Sequence, residues 1–259
     1  MENRQENQHI VITGGGSGIG RAIAIRLAQE GAKVTLLSRT LHKLQKVVQK
    51  ITEFGGTAQC FACDIQNSEQ IAEVMAVAVD NFGNIRAMIA NSGVGGANFP
   101  GEDDRFDEIV QTNLYGTYYS IREAQKYLIS DALPSHILVV SSCLARFGVP
   151  GYTAYCASKA GLLGLVRALA LELADQNTQV NAICPGWVET DMAWEGLQGM
   201  ADGMGISLQE AHKIAMKAVP LKRMSQPEEI AGTVAWLLSE DAYGVTGQGI
   251  DINAGSWMG

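Results

Sequence analysis

Tyr155 and Lys159 stand four residues apart, in the segment Tyr155-Cys156-Ala157-Ser158-Lys159. On a helix that spacing sets a phenol and an ammonium on one face, a turn apart. An unperturbed phenol, with a pKa of about 10, exchanges its proton poorly near neutrality. A fixed cation beside it favours the phenolate, lowers that value and makes the tyrosine a general acid or base. Of the seven tyrosines, only Tyr155 has a lysine four positions on. Alone, the pair is only a contact on a helix face. Its meaning depends on the elements that position it and on the groups they bring to it.

Short apolar runs alternate with longer helical patterns along the chain. The runs predict strands near His9 to Ile12, Lys33 to Leu37, Ala58 to Cys63, Ala87 to Ala90, Ile137 to Ser141, Val180 to Ile183 and Gly249 to Asp251. Between them the pattern predicts helices near Gly18 to Glu30, Leu41 to Glu53, Ser68 to Asn81, Arg105 to Ser130, Thr153 to Asp175 and Pro227 to Leu238. This rhythm implies βαβ units, and so an α/β fold: one Rossmann-like, doubly wound domain of about seven parallel strands with helices on both faces. The polar stretch Met1 to Gln8 is expected to be a flexible leader to that single domain, residues 9–259. Trp187 to Val219, rich in Gly and Met, interrupts the rhythm and reads as a substrate-binding insertion or lid.

With 259 residues, 47% of them hydrophobic, the chain can bury one large core. A net charge of -8 opposes a nucleic-acid surface, which needs a basic stripe. There is no apolar run of membrane-spanning length and no signal-like start, so a cytoplasmic protein without membrane contact is expected. Five cysteines, an odd number at irregular spacings, suit reduced thiols. Cys60 and Cys63 have CxxC spacing, but in a strand they would face opposite sides of the sheet. The four histidines lack ligand spacing, and no metal site is expected.

The first predicted strand runs straight into Thr13-Gly14-Gly15-Gly16-Ser17-Gly18-Ile19-Gly20 and then a helix. Glycines allow a tight turn and a close approach to a pyrophosphate, which the free N–H groups of the helix start stabilise. The pattern is TGxxxGxG, with Thr13, Gly14, Gly18 and Gly20 in the fixed positions. A dinucleotide site usually has an acidic residue at the end of the second strand if the ribose is unphosphorylated. Ser38-Arg39 stands there instead, and a hydroxyl with a guanidinium suits a 2′-phosphate. NADP(H) is the expected cofactor, with NAD(H) as the alternative.

Taken together, Thr13-Gly14…Gly18-Ile19-Gly20, Ala90-Asn91-Ser92-Gly93, Asn113, Ser142, Tyr155…Lys159 and Pro185-Gly186…Thr190 closely resemble the short-chain dehydrogenase/reductase family, from about residue 9 to 255. The resemblance implies that Tyr155 is the catalytic acid/base, and that Lys159 lowers its pKa and holds the nicotinamide ribose. It implies that Ser142 bonds the substrate oxygen and that Asn113 positions a proton-relay water. Asp64 and Ile65 match an adenine-contacting pair, Asn91 and Gly93 a segment beside the ribose, and Pro185, Gly186, Val188 and Thr190 the segment around the carboxamide. The family also implies a homotetramer or homodimer. In this chain Ser17 occupies a position where many NADP-dependent members carry a basic residue, which leaves Arg39 without that helper.

The expected substrate surface includes Phe147, Tyr152, Trp187, Met192 and Trp194, an apolar set suited to a hydrophobic ketone or secondary alcohol. The family's acyl-carrier-protein reductases tend to carry basic docking residues before the fifth and sixth strands. Leu128 to Ser135 and Ala174 to Thr178 contain no Lys or Arg here, so a free small-molecule ketone is preferred. Reduction of a 3-oxoacyl thioester (ACP or CoA) or a polyketide is the alternative. A non-catalytic dinucleotide-binding protein is the remote one, since such a relative would be expected to lack one of Asn113, Ser142, Tyr155 and Lys159.

Overall fold

The computed structural model describes residues 4–259. Its strands are β1 (His9–Thr13), β2 (Lys33–Ser38), β3 (Thr57–Ala62), β4 (Ala87–Ala90), β5 (Ser135–Val140), β6 (Thr178–Pro185) and β7 (Gly249–Ile252). They form one sheet in the order β3-β2-β1-β4-β5-β6-β7, and every neighbouring pair is parallel. The fold is the expected Rossmann-like α/β fold.

Strand geometry sends successive side chains to opposite faces, so each buried strand feeds two cores. On β1, Ile10 and Ile12 join one core while Val11 joins the other. The first core is closed by α1 (Gly18–Gln29), α2 (Leu41–Glu53) and α9 (Pro227–Leu237), through Ile23, Leu27, Leu44, Val47, Ile230 and Val234. The second is closed by α3 (Ser68–Phe82), α5 (Thr117–Gln125) and α6 (Thr153–Glu172), through Ile71, Met75, Ile121, Leu162 and Val166. Helix α6 is long and apolar enough to resemble a membrane span. It is a core helix, with Leu162, Val166 and Leu169 sealed against the sheet. Strand order reverses between β1 and β4, which opens a crevice at their C-terminal ends.

Three parts of the chain depart from the sequence expectation. The single helix expected over Arg105 to Ser130 is α4 (Phe106–Val110), a π-helical turn at Gln111–Gly116, then α5. It stops at Gln125, because Leu128 leaves to bridge Ile85 beside the sheet. The irregular stretch holds α7 (Asp191–Met204) and α8 (Leu208–Ala218). Thr190 caps α7 by accepting the Ala193 N–H at 3.3 Å, and Ser207 with Glu210 forms a capping box on α8. The flexible leader falls partly on residues 1–3, outside the described residues. Within the rest, Gln5 is buried: its backbone N–H donates to the Glu30 carbonyl at 2.9 Å and its Nε2 to the Leu238 carbonyl at 3.0 Å. It is docked because those donors satisfy two helix-end carbonyls that would otherwise lack partners.

His136 on β5 is buried, and its pKa is held down at about 4, first by burial and then by the Arg86 charge. The unfolded chain takes up this proton below about pH 6.5, the folded chain only below about 4. Unfolded protein therefore binds more protons in that window, and stability falls as pH drops through it. We expect a loss of about 3 kcal/mol from this residue. Urea unfolding at about pH 7 and about pH 4.5 measures it, with His136→Gln expected to lose distinctly less on acidification.

Candidate active site

Ser142 follows β5 in extended conformation, and its Oγ accepts the Leu144 N–H at 3.2 Å, starting a short 3₁₀ turn over Cys143–Ala145. The first turn of α6 presents Tyr155, its phenol near enough to the Ser142 hydroxyl to feel its pull. One turn on, the buried Lys159 donates from Nζ to the Val140 carbonyl at 2.9 Å and lies 5.6 Å from the Tyr155 ring centroid. Ser141 is structural, as its Oγ donates to the Lys159 carbonyl at 2.9 Å and ties α6 to β5. Helix spacing and one strand end thus bring Ser142, Tyr155 and Lys159 together.

The electrostatics of this group differ from the sequence expectation. Burial pushes the Tyr155 phenol up to about 12, against the opposing pull of the Ser142 hydroxyl. Burial likewise pulls Lys159 down to about 8. Desolvation outweighs the cation here: Nζ is aimed at the Val140 carbonyl, and the phenol and the ammonium are each pressed toward neutrality. A phenol that keeps its proton is suited to donating to a substrate oxygen.

Asn113 lies within the π-helical turn and is fully buried. Its Oδ1 accepts the Val94 N–H at 2.8 Å, while Nδ2 donates to the Val94 carbonyl at 3.0 Å and to Ser158 Oγ at 3.2 Å. Both amide protons are therefore committed to holding the loop after β4 against α6. Any contribution to a relay comes from that fixed position and not from those donors.

The glycine-rich turn is shaped to admit a ligand backbone closely. Gly14 (φ +67°) and Gly18 (φ +49°) take left-handed conformations, and a side chain on Gly14 would lie 2.7 Å from Asn91 Nδ2. Asn91 donates from Nδ2 to the carbonyls of Thr13 and Gly14 at 3.0 and 3.2 Å, and Thr13 Oγ1 accepts the N–H groups of Asn91 and Ser92. Thr13 and Asn91 thus stitch β1 to β4 and fix the turn, so their side chains are spent on each other's strands. A dinucleotide's pyrophosphate fits this cradle at the start of α1.

The other expected residues border the same crevice. Arg39 is exposed beyond β2 and feels the charge of Glu108, both of whose oxygens are already held by Arg105 at 2.8 and 3.1 Å. Asp64 accepts the Gln66 N–H, closing a turn, and Ile65 is buried under Gly116 of the π turn. A side chain on Gly93 would lie 3.5 Å from Lys159 Nζ, and one on Gly186 2.9 Å from the Asn253 backbone. Pro185 ends β6, and Val188 pairs with Ser225. Thr190 Cγ2 would lie 3.0 Å from a side chain on Gly18, so the first turn of α7 stands on the glycine turn.

Of the five expected substrate contacts, Met192 bridges α7 to the loop after β4, 3.3 Å from where a side chain on Gly95 would begin. Phe147 is exposed and Tyr152 half-buried at the start of α6. Trp187 and Trp194 pack into the core shared by α7 and α8, with Leu197, Met216 and Met224. Trp194 also stacks on His212 at 5.4 Å and donates to Glu189. Two helices packed on each other need their own apolar interior, which claims these indoles. Among the groups sequence reasoning missed, Asn98 holds the loop 94–101 by donating to Asp104 and Thr153 at 3.0 Å each.

Comparison with known proteins agrees with this architecture. A family model described as enoyl-(acyl carrier protein) reductase matches residues 14–256. The chain is 33% identical over 254 residues to 3-oxoacyl-(acyl-carrier-protein) reductase FabG of Thermotoga maritima, covering 97% of this chain and 98% of the relative. A solved structure of a variant actinorhodin polyketide ketoreductase with NADPH superposes with a TM-score of 0.92 at 32% identity, covering 99% of both chains. A short-chain type dehydrogenase/reductase from Mycobacterium marinum superposes with a TM-score of 0.88 at 28% identity, covering 99% of this chain and 98% of its own.

Proposed function

Because this chain belongs to the short-chain dehydrogenase/reductase family, we propose that it is an NADP(H)-dependent oxidoreductase interconverting a hydrophobic ketone and a secondary alcohol. The observation that carries this reading is the grouping of Ser142, Tyr155 and, one turn below, Lys159 at the mouth of the glycine-turn crevice. Arg39 beyond β2, with no carboxylate at the end of that strand, supports the phosphorylated cofactor.

Held by the glycine turn and Arg39, NADPH would supply the hydride. In reduction, negative charge gathers on the substrate oxygen, and the Ser142 hydroxyl and Tyr155 phenol are two preorganised donors to meet it. Tyr155 gives up its proton to that oxygen as the carbonyl becomes the alcohol. Lys159 stabilises the phenolate left behind, and Asn113 keeps the loop after β4 in register with α6. Oxidation runs the same steps backwards, with Tyr155 as the base.

The apolar approach through Phe147, Tyr152 and Met192 favours a hydrophobic substrate, and the absence of Lys and Arg in residues 128–135 and 174–178 favours a free one. The second reading, reduction of a 3-oxoacyl thioester or polyketide, is favoured by what the relatives are called. We further infer a cytoplasmic enzyme, on its five unpaired thiols. We also infer a homotetramer or homodimer, on Tyr115, Tyr118 and the 83% exposed Leu171, which leave apolar surface on the π turn, α5 and α6.

The test is a panel of cyclic, aromatic and aliphatic ketones beside 3-oxoacyl thioesters, followed by the absorbance of the reduced nicotinamide with NADPH and with NADH. The first reading expects the free ketones to give the higher kcat/KM with NADPH. Turnover confined to thioesters establishes the second reading, and none with any substrate overturns both.

A further inference from the structure

Gly16 does more than relax the turn. A side chain there would lie 3.2 Å from Lys43 Cβ and 3.4 Å from Leu44 Cδ2, so the first turn of α2 sits flush against the glycine turn. Between them runs an open groove of about 310 Å³, bordered by Gly16 and Ser17. Its walls carry the cations Arg21, Lys43, Lys46 and Lys50 and one carboxylate, Asp191. None of these cations joins an ion pair among the described residues. In a chain of net charge -8, this exposed concentration of unpaired positive charge is matched to an anion.

We propose that Lys43, with Arg21 of α1 in the same groove, adds to Arg39 in gripping the cofactor's 2′-phosphate. This rests on the NADP(H) reading and replaces the basic residue that Ser17 does not supply. The groove borders the glycine turn that would take the pyrophosphate, through Gly16 and Ser17. Helix α2 adds no competing charge: its first turn has no acidic residue, and Thr40 makes no side-chain cap bond to its N–H groups. Across the gap, Arg105 holds both oxygens of Glu108, which leaves Arg39 available to a phosphate. Lys46 and Lys50 recede along the same face of α2, at helix spacings of three and seven from Lys43. Their effect should fade in that order as screening grows with distance.

The experiment is fluorescence titration of the whole protein with NADPH and with NADH, for the wild type and for Arg39→Ala, Lys43→Gln and Lys50→Gln. Lys43→Gln is expected to raise the Kd for NADPH about tenfold and leave that for NADH unchanged, while Lys50→Gln moves either by no more than about twofold. Equal affinities of the wild type for both dinucleotides would overturn the cofactor reading, and the grip with it. If the wild type prefers NADPH and Arg39→Ala removes the preference while Lys43→Gln does not, the reading stands and the Lys43 grip is refuted.

Discussion

Tyr155→Phe is expected to lower kcat by about 10³-fold or more, while the Kd for NADPH stays within about twofold. The change removes one hydroxyl from a side chain already seated on α6, so the packing of Lys159 and the crevice should persist. What disappears is the proton donor and the partner of Ser142. Stopped assays with titrated cofactor separate the two effects, and appreciable turnover by the phenylalanine variant would refute the role. The pH profile offers an independent check on the wild type. With the phenol near 12, Tyr155 keeps its proton across the neutral range, so the limb to watch belongs to Lys159. Its ammonium is present below about 8 and lost above, so the reduction rate should fall as pH rises through that value.

Gly20→Ala is the second large effect, and it acts through shape. A methyl group at Gly20 would overlap the Gly14 carbonyl oxygen and lie 2.5 Å from Asn91 Nδ2. Those atoms belong to the stitch between β1 and β4, so neither can withdraw without releasing the turn. A destabilisation of about 3 kcal/mol is expected, together with a rise of more than about tenfold in the Kd for NADPH. Gly199→Ala makes the contrasting control. It lies in α7 with nothing within 4 Å of its added carbon, and should stabilise by about 0.5 to 1 kcal/mol through helix propensity. Paired urea titrations of the two variants, with and without cofactor, distinguish a steric cause from a general intolerance of glycine replacement.

The Tyr155/Lys159 pairing and the sheet were readable because each rests on a short-range rule. Period-two burial on β1, the strand-to-glycine junction at Thr13-Gly14 and the helix spacing of Tyr155 and Lys159 are all written within a few residues. Features set by distant partners were not. Nothing local marks Gln111–Gly116 as π-helical; the extra residue accommodates Asn113, whose side chain bonds Val94, nineteen positions away. Helices α7 and α8 were obscured by Gly196, Gly199, Gly203 and Gly205, although the spacing of Ser207 and Glu210 already spelled a capping box. The upward pull of burial on the phenol was not legible, because sequence spacing gives adjacency and says nothing of desolvation. Lys43 was overlooked because its neighbour in space, Gly16, is twenty-seven positions back along the chain.

Helix α7 begins on the glycine turn, with Thr190 against Gly18, and reaches the loop after β4 through Met192. Acting as the lid expected from the sequence, with its foundation on the dinucleotide cradle, α7 would impose a sequence in time. The dinucleotide would enter the cradle before the substrate closes the approach past α7, and that turn would have to lift before the spent dinucleotide leaves. Turnover should therefore be compulsory-order, with the dinucleotide binding first and departing last. In product-inhibition kinetics the two forms of the dinucleotide then compete for the same free enzyme, while the alcohol product does not compete with the dinucleotide.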